Sequence, residues 1–332
     1  MANNHEQFIE FNNTVSLDSS KKNELKKNRD ALRKKITDFF KNNKENETKP
    51  KYSAQGSFMM HTIVNPLPTI ETDDDDNEKT LYPYDLDDGV YFIDEIDNRK
   101  STSTYHNWIY EAVKDHTSKG AVKKNTCVRV LYADGHNIDL PIYFKKKESE
   151  DEKTIPQLAH KSEGYIDSDP REFYKWFNEK AHDQLKRLVR YLKAWRDKQN
   201  KSYSTKMPSG LVLTILATNH YVSNDRDDIS FRDTLQAIET ELKNEFKCER
   251  PTTKEGEDLL QKYSETHFMD RLSKLISAGN TAIGHSSNKE GCKKWQKYLG
   301  DRFACANVED EKSDSSKSYS APAVINVNAT SA

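Results

Sequence analysis

The stretch YPYDLDDGVYF, residues 82 to 92, sets Asp85, Asp87 and Asp88 within four positions and then runs into aromatic and β-branched residues. Its second half reads as a strand, a setting in which Asp is scarce. At about 4 Å two unit charges repel by roughly 4 kcal/mol at an effective dielectric near 20. Either the acids lie on a solvated edge or something cationic sits between them. In an extended chain alternate side chains share a face, so Asp85 and Asp87 point one way while Leu86 and Val90 face a core. Two carboxylates on one face, about 7 Å apart by strand rise, can converge on a divalent ion.

A later strand offers a third acid. TCVRVLYADGHNIDLPIYF reads as a hairpin turning at Ala133-Asp134-Gly135-His136. On its second arm Ile138, Leu140 and Ile142 take one face and leave Asp139 on the other. Oxygen ligands from three aspartates suit magnesium, and two such ions about 4 Å apart form the clamp used for in-line phosphoryl transfer. Upstream, AQGSFMMHTIV places Gly56 and Ser57 where a helix can begin. Gly56 permits close backbone approach, and Ser57 with its neighbouring N–H groups can hold a phosphate. Alone, a Gly-Ser pair says nothing, and an Asp-x-Asp more often marks a solvated turn. The ordered set is far more specific.

Composition narrows the alternatives. The 332 residues suffice for one large domain or two modest ones, and 32% are charged. A formal net charge of −2 excludes a uniformly basic nucleic-acid coat, while leaving room for a local basic groove. No run approaches the roughly 20 apolar residues that span a bilayer. MANNHEQFIEFNN lacks a signal-peptide pattern, so a cytoplasmic protein is expected. Cys127, Cys248, Cys292 and Cys305 are scattered with no C-x-x-C pair; four free thiols and no structural zinc are expected.

Along the chain, residues 18 to 43 space Leu25, Leu32, Ile36, Phe39 and Phe40 as a long amphipathic helix on a basic background. ETDDDDNEK reads as a solvated acidic loop without the glycine and final Glu of an EF-hand, and KKKESEDEKT as a charged surface stretch. From residue 169 the period becomes helical. Asp169 is the expected N-cap and Pro170 the first helical position, with a break near residue 180. Phe173, Trp176, Phe177, Leu185, Leu188, Val189, Leu192 and Trp195 form the apolar stripe. A buried helix is expected after Pro208, with further helices over 231–245 and 267–278. A small, polar tail from about residue 306 is expected to be disordered. The expected class is α+β, divided into an N-terminal segment (1–17), a mixed-sheet core including the long helix (18–165), a helical domain (166–305) and the tail (306–332).

These blocks together resemble the bacterial cGAS/DncV-like nucleotidyltransferases, members of the polymerase-β-like superfamily that make cyclic oligonucleotide signals in anti-phage defence. The resemblance rests on AQGSF, DLDDGVYF and NIDLPIY, and extends through SDPREFYKWFN, RYLKAWRD, MPSG and FMDRLSKL. It implies that Asp85 and Asp87 ligate two magnesium (or manganese) ions and that Asp139 helps activate the acceptor hydroxyl. Gln55, Gly56 and Ser57 would hold the donor triphosphate and Arg129 the acceptor nucleotide. Lys193 would reach the donor phosphates, followed by Ser209, and Asp270 would lie near a base. Bland readings compete: Lys193 falls on the polar side of its helix, Arg129 suits a strand edge, and Asp270 suits an N-cap.

The implied substrates are nucleoside triphosphates, and by branch similarity the implied product is cyclic GMP-AMP, read by a downstream effector. The resemblance also implies a ubiquitin-transfer-like partner acting on the C-terminus. No zinc insertion matches that of the animal relatives, so no DNA activator is implied, and no membrane is expected. A linear oligoadenylate or terminal nucleotidyltransferase, or a silent nucleotide- or RNA-binding module, are the alternatives. The acidic insert lengthens the chain between Ser57 and Asp85, so it must bulge outward if Ser57 is to face the carboxylates.

Overall fold

The computed structural model describes residues 1–72, 76–148 and 153–310. Helix α1 (His5–Val15) precedes α2 (Ser19–Asn43), whose first turn is held by Asp18 accepting the Lys21 N–H at 2.8 Å. Leu25, Leu32, Ile36 and Phe40 are buried along α2, and Phe39 packs half-buried beside them. Strand β1 (Lys51–Gln55) runs into the single turn α3 (Gly56–Met59). Then come β2 (Thr69–Thr72) and β3 (Glu78–Leu81), paired only with each other, and β4 (Asp85–Asp94). The acidic insert is therefore a two-stranded ribbon rather than a plain loop. Its centre lies outside the described residues.

Helix α4 (Thr102–Val113) leads to β5 (Ala121–Lys123), β6 (Cys127–Leu131) and β7 (Asn137–Lys146), with β8 (Gln157–His160) and β9 (Gly164–Asp167) completing the sheet. The order is β1-β4-β7-β6-β5, with β8 on the far end of β7 and β9 on β8. Only β4 and β7 run parallel; every other pair is antiparallel, so the sheet is mixed. Leu86, Val90, Ile138, Leu140 and Ile142 turn to one face and are fully buried with the stripe of α2 and with Tyr105 and Ile109 of α4. The opposite face of β4 and β7 is thereby left for the aspartates.

The remaining helices are α5 (Pro170–Lys180), α6 (Asp183–Ser202), α7 (Gly210–Asn219), α8 (Asp227–Asn244), α9 (Glu265–Gly284) and α10 (Asn288–Leu299). Asp169 caps α5 by accepting the Arg171 and Glu172 N–H groups, and the break falls at Ala181–His182 as the spacing requires. Phe177, Leu188, Trp195, Phe231, Leu275 and Trp295 make a second core. Phe8, Phe11 and Val15 of α1 belong to this core and not to the sheet.

One expectation fails outright. Cys292 and Cys305 form a disulfide, and only Cys127 and Cys248 are free, both buried. The pair joins α10 to the irregular segment after it, a closure that scattered spacing does not announce. No helix among the described residues is long and apolar enough to cross a membrane. The expected tail lies outside the described residues from 311 onward.

Candidate active site

The sheet register builds a row of four side chains. Gln55 pairs with Asp87, Asp87 with Asp139, and Asp139 with Arg129, on β1, β4, β7 and β6 in turn. Laterally paired residues share a face and stand about 4.8 Å apart, so the second and third aspartates are immediate neighbours. Asp85 lies two residues before Asp87 on the same face. Asp88, the third acid of the opening stretch, points the other way. It is fully buried and takes two hydrogen bonds from Arg33 of α2, the Nε bond at 2.7 Å. Thus the charge run splits into two carboxylates for the site and one tied to the framework helix.

Charge repulsion is unresolved on the site face. Asp87 is raised well above the ordinary carboxylate range by desolvation, then by Asp85 and Asp139. Asp85 opens onto a cavity, yet crowding by protein raises it as well, with Asp139 adding and Arg129, Arg196 and Lys193 opposing. Asp139 already has a cation: Arg129 donates Nε to Oδ1 and Nη2 to Oδ2, both at 2.7 Å. Arg129, expected to meet an acceptor nucleotide, is in this structure engaged with the third aspartate. Among the described residues only Glu24, Asp134 and His136 bring three ligand atoms within 4.8 Å of one another, so the aspartates are neighbours without being drawn together to that degree.

Gly56 is required where it stands. Its φ is +69°, and a β-carbon there would collide with the Asp87 carboxylate. The backbone of β1 thus turns directly over the acid, with Ser57 next. Gln55 donates to the Tyr143 hydroxyl at 3.1 Å and accepts from the Tyr91 hydroxyl at 3.3 Å, tying together the hydroxyls of two rings stacked 4.6 Å apart.

Lys193 does not follow the competing reading of a solvated residue on the polar side of its helix. It is buried and donates to Thr62 at the carbonyl (3.1 Å) and hydroxyl (2.9 Å). Burial first, then Arg196, lowers its ammonium to about 7, with Asp85 opposing. Ser209 caps α7, its hydroxyl accepting the Val212 N–H at 3.4 Å. Asp270 sits within α9, away from its N-cap Ser264, and accepts from Arg271 and from Lys274 (2.9 Å).

A cavity of about 1310 Å³ brings part of the set together. Gln55, Gly56, Ser57, Asp85, Asp87 and Lys193 line it; Asp139, Arg129, Ser209 and Asp270 do not. The cavity is also lined by Arg196, Lys201, Arg250, Lys254 and Lys262, which sequence reading missed. Arg196 had a signal, one helical turn beyond Lys193; the cations of 250–262 come from an irregular segment without one.

Comparison with known proteins gives the same outline. The nucleotidyltransferase-domain model of DncV-like cyclic GMP-AMP synthases matches residues 50–143, and the cyclic GMP-AMP synthase C-terminal domain model matches residues 182–311. A cyclic GMP-AMP synthase of Escherichia albertii is 24% identical over 286 residues, 82% of this chain and 58% of that protein. One of Vibrio cholerae is 24% identical over 310 residues, 76% and 67% of the two. The chain therefore spans little more than half of the first relative. The crystal structure of the V. cholerae DncV cyclic AMP-GMP synthase with nonhydrolyzable GTP superposes at TM-score 0.75 and 20% identity, covering 92% of this chain and 97% of that one. The same enzyme with the linear intermediate pppA(3′,5′)pG gives 0.73, covering 91% and 96%. At this identity the likeness carries the fold.

Proposed function

Since the chain belongs to the DncV-like nucleotidyltransferases, we propose that it joins nucleoside triphosphates into a cyclic dinucleotide, cyclic GMP-AMP by likeness to its relatives. The reading rests on the cross-strand row Gln55–Asp87–Asp139–Arg129 with Asp85 beside a glycine turn that admits no side chain. Two carboxylates raised by burial and by neighbouring acids, with a third adjacent, are a hard-oxygen donor set that fits divalent magnesium. Bound there, two such ions would lower the pKa of a ribose hydroxyl and neutralise the departing pyrophosphate.

The chain's own groups account for the rest. Asp85, Asp87 and Asp139 would hold the ions, and Asp139 would help activate the acceptor hydroxyl. The turn at Gly56 and Ser57 offers backbone N–H groups to the donor phosphates. Lys193 and Arg196 face the same charge, and a triphosphate restores the proton that burial takes from Lys193. A cavity of about 1310 Å³ exceeds the ordinary single-ligand range of about 300–1,000 Å³, which supports two nucleotides held together. Anti-phage signalling and conjugation of the C-terminus extend the same family reading.

The test is incubation with all four triphosphates and magnesium, phosphatase treatment, and mass spectrometry. A phosphatase-resistant dinucleotide is expected and should vanish in Asp87→Asn. A product with a removable terminal phosphate would establish a linear transferase instead.

A further inference from the structure

Helix α6 has two working faces. Arg196, Asp197 and Asn200 line the large cavity, whereas Lys198, Gln199 and Ser202 line a separate hollow of about 330 Å³ closed by α9 and α10. That hollow carries Lys198, Arg271, Lys274, Lys297 and the rings of Tyr203 and Tyr298, with no acid on its walls. Asp270 offsets part of this charge through Arg271 and Lys274. Among the described residues neither Lys198 nor Lys297 meets a carboxylate. Two nitrogens beside Tyr203 are buried without a partner: Arg271 Nε and His267 Nε2. The Arg271 guanidinium lies 4.5 Å over the Tyr203 ring, His267 is 5.7 Å from it, and the ring is 42% exposed.

We infer that this hollow is a second binding site for a nucleoside phosphate, distinct from the catalytic cavity. Clustered cations, of which only Arg271 and Lys274 meet an acid, suit phosphate oxygens. An exposed ring backed by a guanidinium presents a face on which a base stacks. The volume matches one nucleotide and leaves no track for a polymer. No carboxylate faces the hollow, so the site needs no divalent ion, and this separates it from the aspartate row. The other side of α6 carries Lys193 and Arg196 of the catalytic cavity. The inference stands whether or not the chain is an active transferase.

The test is photolabelling of the full-length chain with 8-azido-ATP, with peptides mapped by mass spectrometry, in magnesium and in EDTA. Label is expected on the peptides bearing Tyr203 or Tyr298, undiminished by EDTA and displaced by ATP at lower concentration than by inorganic triphosphate. Lys198→Glu with Lys297→Glu should cut it roughly tenfold or more, the loss expected from charge-assisted contacts. If that pair misfolds, Lys297→Gln alone, judged against an unchanged melting temperature, should show the same direction. Label confined to the catalytic cavity would overturn the site. Equal displacement by inorganic triphosphate would overturn a nucleoside ligand, and stronger displacement by a single-stranded RNA oligomer would replace it with a polymer surface.

Discussion

Arg129 closes a two-toothed ion pair on Asp139, Nε to Oδ1 and Nη2 to Oδ2, each at 2.7 Å. The third aspartate is thus paired from the side, though its charge still raises Asp85 and Asp87. Arg129→Gln should release it. Without divalent ions the variant should lose roughly 1.5–3 kcal/mol of stability, the usual worth of charge-assisted hydrogen bonds. Thermal denaturation across a magnesium titration should then show half-maximal stabilisation at roughly tenfold lower ion concentration, about 1.4 kcal/mol. An unchanged midpoint would mean that the guanidinium does not compete for the acid.

Asp87 is raised by burial and by two like charges, so an isosteric neutral side chain relieves strain as it removes function. Asp87→Asn should abolish nucleotide incorporation while leaving the melting temperature equal or higher. A variant that melts lower would assign this residue a structural role.

Two glycines separate conformation from collision. Gly56 and Gly164 both have positive φ, +69° and +78°, but only a β-carbon at Gly56 meets the Asp87 carboxylate; at Gly164 nothing lies within 4 Å. Gly164→Ala should cost about 1–2 kcal/mol for the left-handed backbone alone and retain activity. Gly56→Ala should cost more and silence the enzyme. Equal losses in denaturant melts and product assays would remove the collision argument.

Lys193, lowered to about 7, is largely neutral at pH 8. Because the unfolded chain keeps that proton up to about 10.4, this group makes stability rise with pH between roughly 7 and 10.4. Bound triphosphate should pull the proton back. Calorimetric titration with a nonhydrolysable triphosphate at pH 8, in buffers of different ionisation enthalpy, should show uptake of up to about one proton, absent in Lys193→Met. Buffer-independent heats would refute it.

Periodicity made the aspartates legible, because an alternation of two assigns each face without knowledge of partners. The Arg129–Asp139 pair was out of reach: counting back from a turn at 133–136 sets Val130 opposite Asp139, whereas the observed turn is one residue shorter, with Tyr132 bonded to His136, and brings Arg129 there. Helix spacing alone puts Lys193 on the polar side and is blind to Thr62, far away in the chain, which closes over it; only the family likeness pointed it toward phosphates. Asp270 was drawn toward the site by likeness, while local geometry commits it to Arg271 and Lys274. The Cys292–Cys305 link and the cations of 250–262 depend on irregular backbone, which carries no period to read.

Phe8, Phe11 and Val15 lie in a core otherwise built from Met60 and residues 177–308, and the Ala2 N–H bonds the Ile283 carbonyl at 3.1 Å. During synthesis the first helix must therefore wait for the last ones to leave the ribosome. The α2 sheet half can consolidate meanwhile, holding that apolar stub in suspense, so chaperone demand should peak late in translation.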